Sequence, residues 1–227
     1  AKLYSNIEPE KEFFTYIDYV KEERKNITKD SFQTAENFFN EMLKTCKNTS
    51  KLKPDNDFPE EQGQLNSLEK NVNIDIIGKF CKDYSFTPAS LFLAAALYTT
   101  SRFTGEDDVF ISTIFNGRND LRLQNTIGMF VKTLPFGCQI SKDKNCLGFI
   151  KQVSKILQYA TYNDIFPYSE IVEKYNYKTN IMFECQLGVI ENIKLGEYEV
   201  ENKFLNIEKT KVKFGTHFAN TLPATFA

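Results

Sequence analysis

Apolar positions in the first hundred residues recur with helical spacing. Phe13, Phe14, Ile17 and Val20 fall on one side of the segment from Glu10 to Arg24, with Glu and Lys on the other. Behind Asp30-Ser31, a pair suited to cap a helix, Phe32, Ala35, Phe38, Phe39, Met42 and Leu43 make a wider stripe that reads as core packing. Residues Lys47 to Gln64 are polar, carry Pro54, Pro59 and Gly63, and read as an extended connector, after which Gln64 to Val72 has room for a short strand. Ile74 opens a helix to Tyr84. Thr87-Pro88 then sets an N-cap and a first-turn proline for an almost wholly apolar helix that stops at Gly105.

After Gly105 the period changes. Val109 to Phe115 is apolar on both alternations, the pattern of a central strand covered on both faces. Met129 to Ile140 is rich in β-formers, and Pro135, which has no ladder N–H, marks an edge or a bulge. Helical spacing returns from Cys146 to Tyr162, and Pro167 opens a short helix through Ile171, Val172 and Tyr175. Ile181 to Phe218 alternates as several strands with a turn at Leu195-Gly196-Glu197. Strands interleaved with long helices predict an α/β unit with a mixed β-sheet flanked by helices.

Composition narrows the chemistry. At 227 residues, 41% hydrophobic and 14% aromatic, the chain has enough apolar surface for one large packed unit. Its 28 basic and 30 acidic residues lack the excess of positive charge that phosphate neutralisation needs, so nucleic acid is not an expected partner. The apolar part of its longest uncharged run, Ala89 to Tyr98, is too short to cross a bilayer, and no membrane is expected either. Cys46, Cys81, Cys138, Cys146 and Cys185 form no C-x-x-C pair and accompany a single histidine, His217. They read as buried thiols in a reducing, cytoplasmic setting, with no metal site. No Gly-x-Ser-x-Gly, Walker or dinucleotide glycine pattern occurs, and Asp107-Asp108 and Glu60-Glu61 fall in polar turns where carboxylates are solvated.

Four segments carry a further pattern: Tyr16-Ile17-Asp18-Tyr19-Val20; Thr104-Gly105-Glu106-Asp107-Asp108-Val109; Asn116-Gly117-Arg118 with Ile127 to Pro135; and Asn163-Asp164-Ile165-Phe166-Pro167-Tyr168. In that order they resemble segments of the condensation domain of nonribosomal peptide synthetases, and the resemblance runs to about residue 190. It implies a chloramphenicol-acetyltransferase-like fold, of which condensation domains have two lobes. That family works through a His-His-x-x-x-Asp-Gly motif ahead of the segments found here. His217 does not supply it, since Thr216, Thr221 and Leu222 stand at the other motif positions. Residues 1–227 therefore resemble the C-terminal lobe, read as a piece of a longer domain, with no catalytic residue of their own.

The resemblance also implies roles. Arg118, Gly128, Phe130, Val131, Lys132 and Thr133 are expected beside the substrate tunnel, on a strand opening near Ile127, and Tyr16, Asp18, Tyr19, Gly117, Asn163 and Pro167 are expected as structural motif residues. For Arg118 a turn salt bridge to Asp120 is the plain alternative. Lys132 stands where the family usually has Asn; it is expected either to pair with a carboxylate or reach water in the cleft between lobes, or else to guard an edge strand. No cofactor is expected to bind directly, because the substrates ride on phosphopantetheine arms of carrier proteins. Those carriers, the N-terminal lobe and an adjacent adenylation domain are the implied partners. Two alternatives stay open: a stand-alone acyltransferase of the same fold, and a catalytically silent docking module.

Overall fold

In a computed structural model, the structure describes residues 8, 13–53, 68–141, 143–178, 180–186, 194–195, 198–199, 214–219 and 224–226. The elements follow in the order α1 (Tyr16–Asn26), α2 (Asp30–Leu43), β1 (Leu68–Lys70), α3 (Ile74–Tyr84), α4 (Pro88–Thr104), β2 (Asp108–Phe115), β3 (Lys132–Gln139), α5 (Cys146–Tyr162), α6 (Tyr168–Tyr175), β4 (Ile181–Gln186), β5 (Lys194–Leu195), β6 (Tyr198–Glu199), β7 (Phe214–Ala219) and β8 (Ala224–Phe226). Six strands make one sheet in the order β1-β8-β7-β4-β2-β3. The β2–β4 and β4–β7 pairs are parallel and the β2–β3, β7–β8 and β1–β8 pairs antiparallel, so the sheet is mixed, as the pattern predicts. A separate β5–β6 pair brackets the expected turn, whose residues 196 and 197 lie outside the described residues.

Helices cover both faces. In β2, Val109 and Ile111 join a cluster with Leu93 and Leu97 of α4 and Ile150 and Val153 of α5, while Phe110 joins Ala35, Phe39 and Leu43 of α2 and Ile171 of α6. Each fully buried Phe or Leu contributes about 1.5–3 kcal/mol. The strand is flanked on both sides but lies one in from the edge, and β3 is the edge strand that Pro135 foretells. Tyr177, buried at 1% exposure, ties the second layer to the sheet by donating to the Ile111 carbonyl.

The ends of the helices follow local chemistry, and that corrects several boundaries. α1 begins at Tyr16 and not at Glu10, because Thr15 and Asp18 form a capping box that fixes the first turn. Phe13 precedes the cap and is 98% exposed; it is not part of a buried stripe. α2 has Lys29 as its N-cap without a side-chain bond, so Asp30 is the first helical residue. α4 keeps the predicted frame, with a Thr87–Ser90 capping box and Gly105 left-handed at φ 75°. The connector is polar yet partly buried: the Ser50 backbone N–H and side-chain hydroxyl bond both polar groups of Phe110, on the side of β2 away from β3. Its residues 54–64 lie outside the described residues. Of the five thiols, Cys81 and Cys138 are buried, Cys46 and Cys185 half-buried and Cys146 exposed at the start of α5, so burial does not hold for all of them. Burial pushes the Cys138 thiol up to about 12.

Candidate functional site

β2 and β3 pair antiparallel, which sets Phe115, the last residue of β2, opposite Lys132, the first of β3. The chain between them must turn back over this end of the sheet. Asn116 accepts from the Arg118 N–H at 3.1 Å, and Gly117 takes φ 68°; a Cβ there would overlap the Phe130 carbonyl. Arg118 then reaches inward, donating to the carbonyls of Leu123, Thr126 (3.0 Å) and Gly128 (3.5 Å), with its guanidinium 4.4 Å from the centre of the Phe130 ring. It thus shapes the whole loop. The expected alternative, a salt bridge to Asp120, does not form: Asp120 pairs with Arg122 at 2.6 Å, and Arg122 also meets Glu22 of α1 at 2.9 Å. These contacts hold the Asp120 and Glu22 carboxyls below their ordinary values.

Gly128, Phe130 and Val131 precede the strand and do not lie in it; regular pairing starts at Lys132. Phe130 is 2% exposed, edge-on to both Tyr16 (5.2 Å) and Tyr19 (5.0 Å), and Gly128 lies so close to Tyr16 that a Cβ would overlap its ring. The Thr126 hydroxyl donates to the Phe14 carbonyl at 2.6 Å. Asp18, in the capping box, has its carboxyl lowered by the Thr15 hydrogen bonds. Val131 is half exposed, and Thr133 pairs with Ile114 on β2.

Lys132 is the centre of charge. Its ammonium lies 3.1 Å from Glu23 Oε1 and 3.5 Å from Asp164 Oδ1, donates to the Asp164 carbonyl at 3.2 Å, and stands 5.8 Å from the centre of the Tyr19 ring. The Tyr19 hydroxyl donates to the same Glu23 oxygen at 2.9 Å. Burial lowers the Lys132 pKa, but Asp164, Tyr19 and Glu23 outweigh it and hold the group at about 12. Burial raises both the Asp164 carboxyl and the Tyr19 hydroxyl, against the pull of Lys132. Of the expected alternatives, pairing with carboxylates is the one found, and the lysine is enclosed by α1 and the turn after α5 at 21% side-chain exposure. Asn163 caps α5 through the Tyr159 carbonyl (2.8 Å), which delivers Asp164 to this end, and Pro167 leads into α6.

Three motif segments, spread over some 150 residues of the chain, therefore meet around Tyr19, Phe130 and Lys132. A crevice of about 210 Å³ opens there, lined by Tyr19, Glu22, Glu23, Asn26, Asp120, Arg122, Leu123, Lys132, Asp164 and Ile165. A larger cleft, about 400 Å³, lies between α2, β2, β3 and α5 and, of the four motif segments, includes only Asp108. Glu23, Arg122 and Thr126 were not picked out by sequence; Glu23 was findable, since it sits four residues after Tyr19 on one helix face. His217 lies elsewhere, on β7 between Glu184 of β4 and Thr225 of β8. Among the described residues no group of His, Cys, Asp and Glu is arranged to hold a metal, and no helix is long and apolar enough to cross a membrane. In the cluster the Lys132 ammonium, the Tyr19 hydroxyl and the Glu23 and Asp164 carboxyls are engaged with one another.

The sequence profile of the condensation domain matches residues 1–220. Bacitracin synthase 1 of Bacillus licheniformis is 30% identical over 140 residues, 59% of this chain and 3% of that protein, and bacitracin synthase 2 of the same organism is 23% identical over 222 residues, 94% of this chain and 8% of that protein. Among solved structures, the condensation domain of the monacolin K polyketide synthase MokA superposes with a TM-score of 0.75 at 14% identity, over 99% of this chain and 57% of that one. The chain thus spans little more than half of that solved domain and a few per cent of the synthases.

Proposed function

The chain belongs to the condensation-domain family, and from that premise we propose that it is the C-terminal lobe of a domain that joins a carrier-bound acyl or aminoacyl thioester to an amine, forming an amide. Its part is to supply one wall of the channel between two lobes and some of the surface on which carrier proteins dock. The observation that carries the reading is the meeting of Tyr16–Val20, Asn116–Thr133 and Asn163–Pro167 at one end of the sheet. In this reading Val131, Lys132 and Thr133 border the channel, while Arg118, Gly128 and Phe130 hold that border in shape from behind. The substrates arrive on phosphopantetheine arms, and an adenylation domain that loads one carrier is a natural neighbour.

Amide formation needs a group to take the amine proton and donors for the tetrahedral oxyanion. In this lobe Lys132 and Arg122 are paired with the cluster's carboxylates, Arg118 is engaged by backbone carbonyls, and His217 lies on a strand bonded on both sides. The base accordingly belongs to the other lobe, and the isolated chain is inactive. The test is to incubate the chain with donor-loaded and aminoacyl-loaded carrier proteins and follow both by intact mass. Both thioesters should remain unchanged. Dipeptidyl product that disappears with His217→Ala would overturn the lobe reading and make this histidine the base of a stand-alone acyltransferase.

A further inference from the structure

Helix α1 buries none of its residues. Among the described residues it is held on the side where Tyr16 and Tyr19 pack on Phe130 and Glu23 meets Lys132, while Val20 is half-buried and Ile17 looks outward. Ile17 is 65% exposed, and Phe13, just ahead of the cap, 98%. The loop beside it repeats the arrangement. From residue 127 to 131 the chain alternates, with Phe130 turned in while Ile127 and Met129 stand 84% and 71% exposed; Leu121 is 78% exposed. Single exposed apolar residues are ordinary, but five on two abutting segments make a patch. The segments do abut: Thr126 bonds the Phe14 carbonyl, Arg122 lies 4.3 Å over the Phe14 ring, and Gly128 touches Tyr16.

Two features suit this face to a protein partner. It is stiff before anything binds, because Arg118 holds three loop carbonyls, so little ordering is lost on association. Arg122, Glu22 and Asp120 beside it satisfy one another and form part of a polar rim whose charges are already paired. Condensation domains of known structure are about twice the length that this chain matches, with 51% and 57% covered in two of them. In the C-terminal-lobe reading a segment of comparable length remains to be packed. We propose that the patch of Phe13, Ile17, Leu121, Ile127 and Met129 is the seat of the other lobe, next to the channel that Val131 borders. This rests on the C-terminal-lobe reading and assigns the contact to particular residues.

The test co-expresses, as a separate chain, the polypeptide that the gene encodes directly ahead of residue 1, and measures association by sedimentation and biolayer interferometry. A 1:1 complex is expected, weakened at least tenfold by Ile127→Glu with Met129→Glu, with Tm unchanged, and left intact by Tyr98→Glu with Phe103→Glu on the exposed side of α4. Alkylation of a Met129→Cys variant, mapped by peptide mass, should slow at least tenfold in the complex. A complex indifferent to the Ile127 and Met129 changes, with Met129→Cys still freely alkylated, would overturn the surface and leave the lobe reading standing. Absence of a His-His-x-x-x-Asp-Gly lobe in the upstream sequence would overturn both. Self-association of the isolated chain that persists with the upstream chain present and is lost on Ile127→Glu with Met129→Glu would overturn the partner in favour of a second copy.

Discussion

Replacing Lys132 by methionine keeps most of the side chain's length and removes its charge. At 3.1 Å from Glu23 and 3.5 Å from Asp164, each attraction is worth roughly 5 kcal/mol at an effective dielectric of about 20 before desolvation is counted. The net is much smaller. The lysine pKa rises only from 10.5 to about 12, which at about 1.36 kcal/mol per unit, discounted for partial solvent screening, leaves roughly 1.5 kcal/mol. For a chain of this size that is a loss of about 3–6 °C in Tm. The sign of the pH dependence follows from the two groups separately. Lysine with a raised pKa gives stability that is fully present below its unfolded value and lost only as pH rises through about 12, so it contributes a constant between pH 5 and 7.5. Asp164, whose carboxyl is raised by burial, binds its proton more tightly folded than unfolded, so its contribution improves as pH falls. Without Lys132 that carboxyl rises further, and the deficit of Lys132→Met should be largest at pH 7.5 and clearly smaller at pH 5. Thermal melts by circular dichroism at the two pH values measure it. Lys44→Met, which breaks an exposed pair with Glu41, is the control and should change stability by less than about 0.5 kcal/mol. An equal deficit at both pH values, or none, would refute the argument that Lys132 holds Asp164 ionised.

Two further outcomes test the frame around the cluster. Gly117→Ala should cost about 2 kcal/mol or more by urea denaturation, since it puts a methyl onto the Phe130 carbonyl at a residue with φ 68°; a melt like that of the parent would show that the turn relaxes freely. Ile111→Asp, at a position 1% exposed, should yield no soluble folded protein, because an unpaired buried carboxylate costs several kcal/mol against a total of about 5–15; a cooperative melt of that variant would mean β2 is not in the core.

The helices and the two core strands were legible because their signals are local. The Thr87-Pro88 and Gly105 punctuation, the Ala35/Phe39/Leu43 spacing and the Cys146 to Tyr162 run each depend on neighbours within a few residues, and the structure keeps them. What sequence misjudged was set by contacts across the fold. Phe13 and Ile17 have helical spacing with Val20, yet the face of α1 that packs is the one carrying Tyr19 and Glu23, because Phe130 and Lys132 wait there. Ser50 looks like a linker residue until Phe110 needs partners beyond the reach of β4. Arg118 has an acid two residues away at Asp120, but the nearby Arg122 takes that acid in a short contact and leaves the first guanidinium for carbonyls.

The site itself was legible as three separate resemblances, and only topology joins them. An antiparallel β2–β3 pair returns Lys132 to the end of β2 from which Asn116 and Gly117 depart. α5 runs back along the sheet and ends at Asn163, which releases Asp164 at that same end, and α1 is fastened there by two tyrosines and Glu23. The strand end that gathers these segments is the carboxyl end of β2, which runs parallel to β4, and in α/β sheets crevices open beyond such ends. A lysine among Glu23, Asp164 and Tyr19 then has a use that needs no chemistry of its own: it locks α1, the start of β3 and the turn after α5 into one border whose shape is fixed in advance.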